Sequence, residues 1–258
     1  MPLIKTRGII LNSRPLGEID RMVEIFSDDL GRIQGVAKGA RSFKNRFGGT
    51  LEPFTYCRLN LFKKTNVTLY RIESADILES FQKIRSDLTL LLHSSCMIDI
   101  LRKMIPFEDP SKTQFVLLYK SLERIVAGDP ADKVLSYYQT RLLHISGVGP
   151  RLDSCLKCNR SIKSRKVAIS LSEGGPLCAL CVRGDEGNQR YMVVTGGAVA
   201  VLRKWQSTDP YHVSRFVLAD NIKSEIREVL DKYVSYITGK RSMNPDRYLK
   251  PLQGLEIN

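Results

Sequence analysis

The chain has 258 residues, 43% hydrophobic and 26% charged, which is ordinary for a soluble globular protein. No apolar run approaches the roughly 18 residues of a membrane helix, and the first residues carry no signal-peptide core, so a reduced, cytoplasmic setting is expected. Forty basic residues against 27 acidic ones give a net charge of +13, a field that attracts polyanions, nucleic acid first and anionic lipid second.

Residues 1–78 read as β structure. Strands are expected over 3–13, 21–27, 32–38, 54–62 and 67–75, with turn chemistry at Pro15, Leu16, Gly17 and Glu18 and again at 28–31. Cys57, Leu59 and Leu61 fall on one face by the period of two. Five short strands suggest a small antiparallel barrel, because closure removes the exposed edges of an open sheet. The predicted fold class is α+β: an N-terminal OB-fold barrel, with an SH3-like barrel as the alternative, followed by an α-helical bundle. The short helix common between the third and fourth strands of OB-folds is not evident, and a Gly-rich loop takes its place.

From about residue 80 the apolar period becomes helical. One helix is expected over 87–105, capped by Ser86 or Asp87 and stopped by Pro106. A second starts at Ser111 and ends at Gly128. A third follows Asp129 as cap and Pro130 as first residue, closing at Gly147. Three successive amphipathic helices read as a bundle. A cysteine-bearing module then interrupts it, with a strand at 167–171 and a loop at 184–188. Helices resume behind Thr195 and Asn221, the last ending at Gly239, and residues beyond Lys240 look irregular. The expected domains are therefore 1–78, 79–149, 150–188, 189–240 and 241–258, the third being the cysteine module inside the helical domain.

Two Cys-x-x-Cys pairs, Cys155 with Cys158 and Cys178 with Cys181, dominate the module. Each knuckle aims two sulfurs at one ion, and two knuckles complete a tetrahedron of thiolates about 2.3 Å from zinc. Four protein ligands leave no position for water or substrate, so the ion is read as structural. A disulfide pair or a redox motif is the alternative, although the redox motif needs only one such pair. Lys157, Arg160, Lys163, Arg165, Lys166 and Arg183 surround the module, where they offset a four-thiolate site of net charge near −2 or extend a polyanion surface. Cys57 and Cys96 sit in apolar surroundings and are read as core.

Between Arg32 and Arg71 lie nine basic residues and one acid, Glu52. Within the Gly-rich loop, Lys38, Arg41, Lys44 and Arg46 recur every two to three residues. At about 3.3 Å per extended residue such cations fall near successive phosphates. Phe43 and Phe47 are interleaved among them, either to stack on bases or to anchor the loop to the barrel, with anchoring favoured for Phe47 and neither role favoured for Phe43. Arg32, Lys63, Lys64 and Arg71 extend the candidate polyanion-binding surface, which the resemblance given below makes a DNA-binding one. Enzymatic readings find little support: there is no phosphate-binding loop, no dinucleotide fingerprint and no deaminase pattern, since Leu177 separates Pro176 from Cys178. Trp205 is read as packed in the bundle.

Nearly the full length resembles the RecO family of bacterial DNA-repair proteins. Thr6-Arg7-Gly8-Ile9-Ile10-Leu11, Gly35-Val36-Ala37-Lys38-Gly39-Ala40-Arg41 and Leu51-Glu52-Pro53-Phe54 carry the resemblance, together with Cys155-Leu156-Lys157-Cys158 and Gly174-Gly175-Pro176-Leu177-Cys178-Ala179-Leu180-Cys181. It implies a non-enzymatic recombination mediator with an OB-fold, a helical domain and a zinc module. Such a protein binds single- and double-stranded DNA, anneals complementary strands, acts with RecR, and engages the acidic tail of single-stranded DNA-binding protein to help RecA load. It also implies a nucleoid-associated place in a bacterial cytoplasm. A zinc-ribbon RNA-binding factor, a protein-interaction scaffold and a zinc hydrolase are the competing readings.

Overall fold

Strand alternation at the N-terminus produces five strands. In the computed structural model, which describes residues 3–43, 45–63, 67–162, 164–183 and 191–253, they are β1 (Leu3–Leu16), β2 (Asp20–Ser27), β3 (Gly31–Ala37), β4 (Tyr56–Lys63) and β5 (Tyr70–Glu79). They close into a barrel in the order β1-β2-β3-β5-β4, with β1 also paired to β4. All pairings are antiparallel except β3 with β5, which is parallel. Ile10, Val23, Ile25, Ile33, Leu59, Leu61 and Ile72 fill the interior. Gly35 is required there, because a Cβ would stand 2.8 Å from the Ile72 side chain.

Two boundaries differ from expectation. β1 continues through Pro15 and Leu16, which pair with Arg21 and Asp20, so the turn starts at Gly17. A proline near a strand end costs little, since few ladder bonds remain to be lost. β5 begins at Tyr70 rather than Val67, because pairing to β3 starts only there, and it runs on to Glu79.

The chain divides into two compact units, residues 1–91 with 105–126 and residues 92–104 with 127–258. This division corrects the expected bundle of three successive helices. α1 (Gln82–Ser86), which the sequence did not announce, and α3 (Lys112–Val126) belong with the barrel. The outward row Phe26, Ile9 and Tyr56 crosses three strands. Phe115 of α3 lies 5.9 Å from both Phe26 and Tyr56, and Tyr119 lies 5.1 Å from Tyr56. α3 therefore covers one outer face of the barrel through Phe115 and Tyr119, and Tyr119 also meets Phe81 at the start of α1, ring centroids 5.8 Å apart.

α2 (Leu88–Met104) starts behind Asp87, whose Oδ1 accepts the Leu90 amide at 3.0 Å, and buries Cys96. α4 (Ala131–Ile145) is preceded by Pro130 in the cap position, one residue later than expected and without a side-chain cap. β6 (Lys166–Ser170), β7 (Gly175–Leu177) and β8 (Tyr191–Thr195) form a sheet in the order β7-β6-β8, with α5 (Ala179–Arg183) following β7. β8 was not anticipated, and the predicted loop at 184–188 lies outside the described residues. Thr195 caps α6 (Gly196–Trp205) by accepting the Ala198 amide at 3.2 Å.

A 3-10 helix (Pro210–Arg215) leads to α7 (Asp220–Thr238), whose cap is Ala219 rather than Asn221. Trp205 is fully buried and meets the rings of Tyr137 and Phe216 edge-on. Beyond Lys240 the chain is not irregular throughout, because α8 occupies Asp246–Gln253. No described helix is long and apolar enough to cross a membrane.

Candidate metal centre and nucleic-acid interface

The four cysteines converge. Cys155 and Cys158 sit on a knuckle in which the Asn159 amide donates to the Cys155 carbonyl at 2.9 Å and Asn159 adopts a positive φ of 57°. Cys178 follows β7, and Cys181 lies one turn later on α5. Strand β7 joins the halves: the Leu156 amide donates to the Pro176 carbonyl at 3.0 Å, and the Arg151 amide to the Gly174 carbonyl at 2.9 Å. Gly175 permits this approach, since a Cβ there would stand 2.4 Å from the Arg151 carbonyl oxygen.

The four Sγ atoms lie within 4.8 Å of one another, and Cys158 Sγ stands 3.7 Å from Cys178 Sγ. Two thiolates on a tetrahedral ion at about 2.3 Å stand about 3.8 Å apart, whereas a disulfide needs about 2.05 Å. The cluster can therefore hold a metal ion, and all six cysteines are free thiols. Burial pushes the Cys155 thiol up, but the backbone amides of Cys158, Cys178 and Lys157 outweigh it and hold the pKa at about 6. Amide donors favour a thiolate, which is the ligating form.

The Gly-rich loop between β3 and β4 is pinned to the barrel. Ala40, Phe47 and Leu51 enter the barrel core. Asn45 Oδ1 accepts the amides of Phe47 and Gly48 at 3.0 and 2.8 Å, fixing the turn. The Arg41 amide donates to the Ile19 carbonyl at 2.8 Å, and its guanidinium donates to the Gly17 carbonyl at 2.9 Å, so the β1–β2 turn supports the loop. Phe43 is fully exposed at 102%. Phe47, at 2%, is core. The two rings thus divide the roles that the sequence suggested: one anchors and one is presented to solvent.

The other predicted contacts separate. Arg32 is corrected: it is 9% exposed, stands 3.6 Å from Glu24 Oε1, and lies 3.9 Å over the Phe107 ring. A buried, paired guanidinium belongs to the structure and offers no surface charge. Lys63 pairs with Glu108 and reaches the Tyr70 hydroxyl at 3.4 Å. Lys38 pairs with Asp20 at 2.7 Å and lowers the carboxyl pKa, with the Gly39 amide assisting. Arg46 and Arg71 share Glu73, at 3.3 and 3.4 Å. Lys44 and Lys64 lie outside the described residues. The charge excess counted along 32–71 is therefore partly offset in space by Asp20, Glu24, Glu73 and Glu108, all of which lie outside that stretch.

Sequence reasoning missed a groove on the outer face of β3, β5 and β4. Val36 pairs with Arg71, and Arg71 with Phe62, so the three share one outward row. With Val67, Leu69 and Glu73 they line an open groove of about 630 Å³. The missing signal was the parallel β3–β5 pairing, which no local pattern encodes. In the second unit, Lys204, His212, Arg215 and Phe216 line another groove of about 530 Å³.

Comparison with known proteins places this chain. A family model described as Recombination protein O N terminal matches residues 1–81, and one described as Recombination protein O C terminal matches residues 85–244. The DNA repair protein RecO of Anaeromyxobacter sp. (strain K) is 29% identical over 241 residues, covering 93% of this chain and 94% of the relative. That of Bacillus pumilus (strain SAFR-032) is 28% identical over 259 residues, covering 98% of each. That of Acetivibrio thermocellus is 28% identical over 235 residues, covering 91% of each. With both family models matched end to end along a barrel and a cysteine-bearing helical part, the chain belongs to the recombination protein O (RecO) family.

Proposed function

We propose that this chain is a DNA-binding recombination mediator in DNA repair, which anneals strands and is not an enzyme. The names of its relatives, DNA repair protein RecO, support the repair role. The observation that carries the reading is the pinned loop, which presents Lys38, Arg41, Arg46 and Phe43 to solvent from a rigid barrel. Annealing requires two polyanions to be held together against repulsion. A cationic surface replaces their condensed counterions, and base pairing supplies the specificity. No covalent bond changes in this scheme.

The barrel's strand order and single parallel pairing fit an OB-fold. The four thiolates fit one structural zinc ion held by Cys155, Cys158, Cys178 and Cys181, with no position left for substrate. Free thiols suit a reducing cytoplasm, with the protein on the nucleoid. The family resemblance supplies RecR and the acidic tail of single-stranded DNA-binding protein as partners in loading RecA. For the acidic tail, the groove lined by Lys204, Asp209, His212, Arg215 and Phe216 offers two fixed cations against one carboxylate.

Four or five neutralised phosphates at roughly −0.7 each predict a log–log salt slope of about −3 to −4 for a single-stranded oligomer. Fluorescence anisotropy between 50 and 200 mM salt, the range over which this term is large, measures it. Replacing Lys38, Arg41, Lys44 and Arg46 together by alanine should flatten the slope and abolish annealing, and an unchanged slope would exclude the loop as the interface.

A further inference from the structure

Glu73 is placed by an irregularity of the barrel. Along β5, Ile72 pairs with Leu61 and Ser74 with Asn60, which leaves Glu73 as the extra residue of a β-bulge. A bulge re-aims the side chain it inserts, and bulges recur at barrel rims beside binding sites. Here it sets the Glu73 carboxylate between Arg46, which comes from the β3–β4 loop, and Arg71 of β5. Arg46 is also held over the Phe47 ring at 5.2 Å. Glu73 and Arg71 line the open groove with Val36, Phe62, Val67 and Leu69, and Arg46 reaches this rim through Glu73. Another outer face of the barrel, on β1, β2 and β4, is covered by Phe115 and Tyr119.

We propose that Glu73 is a gate: its carboxylate reserves a phosphate site between Arg46 and Arg71, and a strand displaces it only when an unpaired base enters the adjoining groove. This deepens the DNA-binding reading above and rests on it. The distances favour exchange. Strong charge-assisted pairs close to about 2.7–2.9 Å, whereas Glu73 stands 3.3 and 3.4 Å from its partners. The arginine side chains are 49% and 59% exposed, and pairs in water are weak. A phosphate suits two guanidinium forks at least as well as one carboxylate does.

The groove supplies the other half of the selection. Its volume of about 630 Å³ lies in the range of small-ligand sites, and Phe62 gives it an aromatic wall on which a base can stack. Two arginines against one glutamate leave the rim with net positive charge, complementary to a phosphodiester. A duplex offers phosphates but no free base. Its phosphates must therefore compete with Glu73 without the gain from the groove, and single strands are preferred.

The test uses the full chain and its Glu73→Gln and Phe62→Leu variants, with three probes: a single strand, a duplex and a single strand carrying abasic sites. Glu73→Gln should tighten duplex binding on the order of three- to tenfold, as expected for exposed ion pairs, and single-strand binding less, so the preference shrinks. Phe62→Leu should weaken binding to the single strand and leave the duplex and abasic strands unchanged. Wild-type affinity for the abasic strand should fall to that for the duplex. Equal affinities of Glu73→Gln and wild type for both forms would overturn the gate while leaving the loop's salt slope, and the broader reading, intact. A change in oligomeric state on Phe62→Leu with no change in DNA binding would assign the groove to a protein surface and overturn it too. If the wild-type chain binds neither single strand nor duplex, the DNA-binding reading falls and takes the gate with it.

Discussion

The cysteine cluster and the barrel surface were both read from spacing, and only the cluster kept its membership intact in three dimensions. Within each knuckle the two sulfurs are separated by two residues and a turn, so local backbone geometry decides where they point. The barrel cations come from a loop and three strands, and their surroundings depend on partners brought in by long-range pairing. Arg32 and Arg41 look alike in the sequence, yet one is buried against Glu24 and the other is held at the surface by carbonyl groups. Side-chain charge can be counted in a sequence, but the fold decides how much of it faces water.

Cys158→Ser tests the cluster half of this contrast and should have the largest effect. Cys158 is exposed, so the serine leaves no packing defect. If the cluster holds zinc as proposed, losing one of four thiolates should release the ion, and structural zinc sites contribute on the order of 10 kcal/mol. Metal content and the thermal midpoint of the full chain report this. Hydrogen exchange at Ile25 and Leu59 in the barrel should stay unchanged, and lost protection there would show that the two regions are not independent.

Within the barrel, Arg32→Ala and Arg41→Ala should separate cleanly. Removing Arg32 leaves the buried Glu24 carboxylate without its cation, a loss of about 3–5 kcal/mol in denaturant unfolding. The salt slope of DNA binding should not move. Removing exposed Arg41 should change stability by about 0.5 kcal/mol or less and flatten the slope by about 0.7. Equal slopes for the two variants would erase the distinction between structural and available charge.

A smaller effect is expected at Asp231 on α7, where burial raises the carboxyl pKa to about 6 despite a hydrogen bond from Asn244. An aspartate in the unfolded chain titrates near 3.9. The folded state thus holds this proton more tightly, and the group favours folding below about pH 4. That contribution is lost as pH rises through 6. Asp231→Asn should therefore stabilise the chain at pH 7 by up to about 3 kcal/mol and remove the fall between pH 4 and 6. Thermal midpoints across that range measure it, and an unchanged profile would place the titration elsewhere.

The strands, the α2 cap at Asp87, the α6 cap at Thr195 and the cysteine set were legible because each depends on residues within a few positions. The same holds for Cys57, Leu59 and Leu61, whose period of two survives as a single buried face. α3 shows where local reading stops. Its amphipathic stripe was plain, but nothing in a stripe says what it covers, and Phe26 and Tyr56 of the barrel claimed it. β8 escaped notice because a five-residue strand next to a helix cap carries too short a pattern, and it becomes a strand only by pairing with β6.

By itself the sequence determined what short-range geometry can enforce: a β-rich N-terminal region, helices behind their caps, and four thiols in two knuckles. The tertiary structure alone decided which cations remain exposed and which acids sit beside them. It also decided that Val36, Arg71 and Phe62 form one open row. The reason is physical: knuckles and caps close over a few residues of backbone, whereas the surroundings of a surface charge are set by closure of the barrel, which brings together residues dozens of positions apart.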